Sequence, residues 1–139
     1  MIDHICFTDS AQARERNIIT YAPIASKILK MYCENCDINM LDIQGMSRKR
    51  PLPEQRSHIM LLIMMFTHLS LADIGKLFFS GRHYSTVLHQ AKAAKDDIET
   101  YFFSSEKHKA WLNTLKRNGF EIRRKEEELC KSKPISATI

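Results

Sequence analysis

Long apolar runs are missing from this sequence. The longest, "IMLLIMMF" from Ile59 to Phe66, falls far short of the roughly 20 residues that cross a bilayer, so no membrane span is expected. The opening "MIDHICFTDSAQARER" carries Asp3 and no uninterrupted apolar stretch, so a secretory leader is not expected either. Cysteine is sparse: Cys6, Cys33, Cys36 and Cys130 are unevenly placed, which fits reduced thiols in a cytosol better than a disulfide framework. Only four glycines occur in 139 residues and no G-x-x-x-x-G-K-S/T is present, so a phosphate-cradling loop and an ATPase core are not expected. Strictly alternating stretches flanked by hairpin turn pairs are also lacking, which argues against sheet and for an all-α fold. No internal repeat is visible.

What is present is helical periodicity and positive charge. An apolar content of 44% is enough for one modest core. The formal charge of +5 and isoelectric point near 9.1 favour a polyanionic partner, nucleic acid or anionic membrane. Thr8, Asp9 and Ser10 offer caps for a short first helix ending near Ile19, and Pro23 suits the first turn of a second, with Ile24, Ile28, Leu29 and Tyr32 on one stripe. Asp37 and Asn39 can start a very short helix, "MLDIQ", with Gly45 as a left-handed cap. "MSRKRPLPEQR" reads as a loop, because two prolines and a basic cluster interrupt regular structure. Pro53 opens the next helix, whose inward residues are Ile59, Leu62, Ile63 and Phe66; the methionines of this stretch, at helical spacing, read as core.

Ser70 followed by Asp73 is a capping-box-like start for a short helix bearing Leu71, Ile74, Leu77 and Phe78. Phe79, Ser80 and Gly81 form a turn, and a longer helix from about His83 to Tyr101 buries Val87, Leu88, Ala91, Ala94 and Ile98. A short helix, a tight turn and a longer helix describe a helix-turn-helix. The last core helix is expected after Ser104 or Ser105, with Trp111, Leu112 and Leu115 inward and Gly119 as its stop; residues 120–139 are charged, then polar, and expected to fray. The expected organisation is an N-terminal helical extension at 1–22, a DNA-binding domain at 23–119 and a charged, partly disordered tail at 120–139.

The longer helix opens with Arg82, His83, Tyr84, Ser85 and Thr86 and no acid. A recognition helix presents its first turn to the major groove, where free backbone N–H groups and the positive dipole end lie. Hydroxyls there can bond base edges or phosphate, and Arg82 can reach a phosphate or, bidentately, a guanine. The plainer reading is that Ser85 or Thr86 caps a surface helix. The cluster Arg48, Lys49, Arg50 and Arg56 is by itself a solvated surface, but joined to a helix-turn-helix about twenty residues downstream it supplies a second contact to DNA.

From about Ile24 to Arg117 the chain resembles the C-terminal DNA-binding domain, domain IV, of the bacterial chromosomal replication initiator DnaA. The resemblance is carried by Ile74, Gly75, Phe78, Gly81, Arg82, Ser85, Thr86, Val87, Leu88 and His89. It implies a DnaA domain IV-like, Trp-repressor-like helical bundle in which Tyr84, Ser85 and Thr86 face bases in the major groove, Arg56 reaches the minor groove, and Arg48, Lys49 and Arg50 lie along phosphates. Two positions depart from the family: His83 stands where it has aspartate and Tyr84 where it has histidine, so the preferred sequence is expected to differ. His89 reads as a core or capping histidine.

Cys33-x-x-Cys36 is half of a zinc ligand set, but no second pair or paired-histidine motif follows, so both read as ordinary thiols. No Ser-His-Asp or Cys-His arrangement is supported, and neither an enzyme, a metal, a cofactor nor a small-molecule substrate is expected. The expected partner is double-stranded DNA, in the cytoplasm with the nucleoid. Replication proteins could engage through residues 1–22 or 120–139, and no membrane partner is expected. A replication role without an ATPase would be that of a site occupant, a competitor or an adaptor. A helix-turn-helix transcriptional regulator, and an interaction module that has lost DNA binding, are the competing readings.

Overall fold

The computed structural model describes the backbone of residues 2–45, 47–78 and 83–124, with side chains from residue 12 onward. Among the described residues there are six helices and no strands, as the absence of alternating patterns predicts. None of these helices is long and apolar enough to cross a membrane.

Helix α1 runs unbroken over Ile2–Asn35, with Pro23 inside it. This corrects the expectation of two helices meeting at Pro23. An internal proline removes one backbone hydrogen bond and costs about 3 kcal/mol. Here the Ile19 carbonyl that loses its donor belongs to a residue 76% exposed, where water can satisfy it. Packing on both sides offsets the remainder: Ala25, Ile28, Leu29 and Tyr32 are buried after the proline, and Arg14, Asn17 and Tyr21 are tied to the body of the domain before it. Asp37 then closes the helix in the left-handed region at φ 54°, where Ile38 N–H donates to Cys33 O at 2.8 Å in a Schellman-type end. Asp tolerates this conformation better than most residues.

Helix α2, Met40–Gln44, is capped by Asn39, whose side chain accepts from Leu41 N–H at 2.9 Å. Gly45 follows with φ −83° and ψ −162°, so it is extended and not the left-handed cap expected of it. A Cβ at this position would lie 3.0 Å from Leu41 O, so glycine serves close approach here. Helix α3, Leu52–Phe66, is buried continuously from His58 to Phe66 and forms the centre of the core. Burial of each of its large apolar side chains contributes about 1.5–3 kcal/mol.

A buried polar chain crosses this centre. Tyr32 Oη lies 2.9 Å from His58 Nδ1, and His58 Nε2 lies 3.0 Å from His108 Nδ1. Burial raises the Tyr32 phenol above its ordinary range, so the hydroxyl keeps its proton; when it donates to His58 Nδ1, the His58 proton sits on Nε2 and is donated to His108. Burial, then the neighbouring His108 and Lys107, lower the His58 pKa to about 3. The Trp111 ring stacks on Tyr32 at 4.5 Å. Bonds from α1, α3 and the last helix thus leave each imidazole paired, as buried polar groups require.

Helix α4, Leu71–Gly75, starts at Ser70, whose Oγ accepts from Asp73 N–H at 3.2 Å. Helix α5, Tyr84–Thr100, buries Val87, Ala91 and Ala94 against α3, with Leu88 and Ile98 half-buried. Tyr101 alone separates it from α6, Phe102–Arg117. The last helix therefore begins ahead of the serines expected to start it: Ser105 N–H already donates to Tyr101 O. Gly119, at φ 89°, ends α6. The chain then turns back instead of fraying: Arg123 N–H and Arg124 N–H both donate to Met65 O, at 2.6 and 2.9 Å. The tail expected beyond, 125–139, lies outside the described residues.

Candidate nucleic-acid interface

Each candidate surface residue is positioned by local chemistry. His83 precedes α5 in an extended conformation, and its Nδ1 accepts from Ser85 N–H at 3.3 Å, with Ser85 Oγ at 2.8 Å. An Nδ1 that accepts leaves the ring proton on Nε2. The start of α5 therefore presents an imidazole N–H donor, with the half-exposed Tyr84 ring 4.4 Å from the His83 ring. Ser85 and Thr86 are half-buried. No acid lies in this first turn, so the positive end of the helix dipole is not offset by a side chain there. Arg82, expected beside these residues, lies outside the described residues, as do 79–81. His89 is exposed on α5, not in the core or at a cap.

The basic loop is equally ordered by its own bonds. Ser47 Oγ accepts from Lys49 N–H at 3.2 Å, and Lys49 O accepts from Leu52 N–H at 2.9 Å. Arg48, Lys49 and Arg50 are exposed. Arg50 Nε lies 3.2 Å from Glu54 Oε1, but with 86% of its side chain exposed the pair is screened and easily exchanged for another anion.

Arg56 departs from expectation. It is 3% exposed, and its guanidinium donates to Ile43 O at 2.7 Å, Asp42 O at 3.1 Å and Ser47 O at 3.0 Å. A side chain whose fork is turned onto three protein carbonyls is a clamp between α2, the loop and α3, and is not placed to enter a groove. The sequence held the signal for this. Arg56 lies three, four and seven residues before Ile59, Met60 and Ile63, on the inward stripe of α3.

One residue with no motif links the two surfaces. Gln44, at the end of α2, donates from Nε2 to Leu77 O at 2.6 Å. Leu77 leads from α4 into the turn, and Gln44 leads into the basic loop, so the two segments are stitched just where each heads for its candidate contact.

Cys33 is buried with its Sγ 3.7 Å from Met40 Sδ. Burial raises both thiols, Cys33 to about 11, which disfavours the thiolate that metals require. Among the described residues no group of three or more His, Cys, Asp or Glu side chains could hold a metal ion.

Comparison with known proteins gives sequence relatives for part of the chain. The family described as bacterial dnaA protein helix-turn-helix matches residues 25–93. The chromosomal replication initiator protein DnaA of Wolbachia sp. subsp. Brugia malayi (strain TRS) is 37% identical over 82 residues, covering 59% of this chain and 17% of that protein. The DnaA of Ruegeria sp. (strain TM1040) is 34% identical over 91 residues, 66% of this chain and 18% of its own length, and that of Picosynechococcus sp. (strain ATCC 27264 / PCC 7002 / PR-6) 36% over 72 residues, 51% and 16%. The chain thus spans less than a fifth of the length of these relatives.

Proposed function

Residues 25–93 belong to the bacterial DnaA helix-turn-helix family, and from that premise we propose that the chain binds double-stranded DNA with sequence preference, in the initiation of replication or its control. The observation that carries the reading is the stitched pair of surfaces: an acid-free start of α5 with His83 and Tyr84 exposed, and an exposed loop at residues 48–50, joined through Gln44 and Leu77. The first turn of α5 enters the major groove, and the loop cations neutralise phosphates on the adjoining strand.

Within the groove, His83 Nε2–H meets an acceptor such as guanine O6 or N7, and the Tyr84 ring and the Thr86 methyl supply apolar contact to thymine. Ser85 spends its hydroxyl on His83 and acts by orienting that imidazole. The preferred site accordingly differs from one read by an aspartate, which can only accept. None of these contacts calls for a cofactor or a catalytic group.

The test is titration of duplexes selected from a random pool at several salt concentrations. With roughly five phosphates neutralised, log affinity falls against log salt with a slope near −4 to −5. A flat salt response, or equal affinity for selected and scrambled duplexes, would defeat the reading and leave an interaction module that has lost its DNA surface.

A further inference from the structure

We propose that Arg14 is a positioning residue for the DNA-reading helix, acting through Asp73 of α4, so that the part of α1 preceding the family-matched residues belongs to the binding machinery. The inference rests on the duplex-binding reading above and adds to it a segment that the family match leaves out.

The geometry is that of a two-point clasp. Arg14 Nε lies 3.2 Å from Asp73 Oδ2, and Nη2 lies 2.9 Å from Oδ1. The planar fork of arginine on a carboxylate fixes direction as well as distance, which a single ammonium contact does not. The Asp73 side chain is only 6% exposed, and its Oδ2 also accepts from Ser70 Oγ at 2.7 Å. The same carboxylate therefore closes the helix cap and receives the clasp. Lys76 approaches it at 3.6 Å from solvent. The Arg14 guanidinium, opposed by burial and helped by the Ser70 hydroxyl, holds this carboxyl below its ordinary range.

The clasp matters because of what it holds. Helix α4 has five residues, well under the roughly 12–15 at which a helix sustains itself, so its orientation must come from tertiary ties. Two more ties from α1 reach the segment leading into it: Asn17 Nδ2 donates to His68 O at 3.4 Å, and the Tyr21 ring meets His68 edge-on at 5.5 Å. From the other side Arg124 Nη2 reaches Leu69 O at 3.5 Å, and the Arg123 guanidinium lies 5.7 Å from the centre of the Tyr21 ring. The direction of α4 fixes Leu77 against Gln44 and the departure of the chain toward α5. Residues 14–21 thus act on the groove-facing turn without touching DNA.

The experiment measures duplex affinity and its salt slope for the full chain, with Arg14→Ala, Asp73→Asn, the double variant and Arg14→Lys, well below the melting temperature of each. Arg14→Ala is expected to weaken binding about fivefold with the slope unchanged, and the double variant to be no worse than the poorer single, because coupled partners are not additive. Arg14→Lys, which keeps the charge and lacks the fork, is expected between wild type and alanine, and it carries the test whether or not Asp73→Asn folds. Wild-type affinity in either Arg14 variant overturns the inference while duplex binding stands. So does a slope shallower by about 0.9, the mark of a lost phosphate contact, or full additivity with Asp73→Asn. A wild-type chain that binds no duplex overturns the functional reading, and this inference with it.

Discussion

Arg56 and His58 in the first half of α3, and Arg48 to Arg50 and His83 at the rim, are the same residue types in opposite surroundings. The interior pair is 3% and 8% exposed, and its polar atoms are spent on protein partners. The rim residues are exposed, bonded mainly to their own turns, and keep donors for something else. The difference teaches that a basic cluster in a sequence divides by helical phase. A cation in register with the apolar stripe becomes part of the frame, and one in the preceding loop becomes part of the surface. Interior replacements should therefore change stability, and rim replacements affinity.

The largest effect is expected from Arg56→Ala. Stripping a guanidinium from three carbonyls should lower the urea-unfolding free energy by roughly 2–4 kcal/mol. Any loss of DNA affinity in the folded variant should be alike for all sequences. Lost discrimination at full stability would return Arg56 to the groove and break the comparison. Next, Thr86→Ala should cost about 1–3 kcal/mol on the selected duplex and much less on a scrambled one, with stability changed by no more than about 0.5 kcal/mol. Equal losses on both duplexes would mean that the start of α5 reads no bases.

A smaller and graded effect belongs to His58. Its folded value of about 3 lies below the ordinary 6.5, so the unfolded chain takes up a proton that the folded chain refuses. The contribution is whole above about pH 6.5 and is lost as the pH falls toward 3, at a slope approaching 1.4 kcal/mol per pH unit. Unfolding free energies measured from pH 7 to 4.5 should show this slope, and His58→Gln should flatten it. A level wild-type profile would place His58 in water. The smallest effect is that of Lys49→Ala, which should weaken every duplex alike and make the salt slope shallower by about 0.9.

Much of this arrangement was legible because it is written in local chemistry. Asn39 and Ser70 cap the helices their side chains announce, and the apolar spacing of Ile59 to Phe66 marks the helix at the centre of the core. The departures have particular causes. Pro23 ends no helix because α1 is held on both sides of it, and Gly45 follows α2 in an extended conformation, where a Cβ would lie 3.0 Å from Leu41 O. Tyr101 alone parts α5 from α6 although serines follow. Of the candidate site, the exposed loop cations and the start of α5 were readable from charge and helix position. Neither Gln44 nor the Arg14 to Asp73 clasp had a readable signal, because their partners lie 33 and 59 residues away.

The Gln44 to Leu77 hydrogen bond ties the end of α2 to the segment after α4. If the chain binds a duplex as proposed, that tie fixes the spacing between loop and helix start, like a ruler of set length. Inserting a single base pair between the two contacted stretches, about 3.4 Å of extra rise, would then have to be absorbed by the DNA bending or twisting.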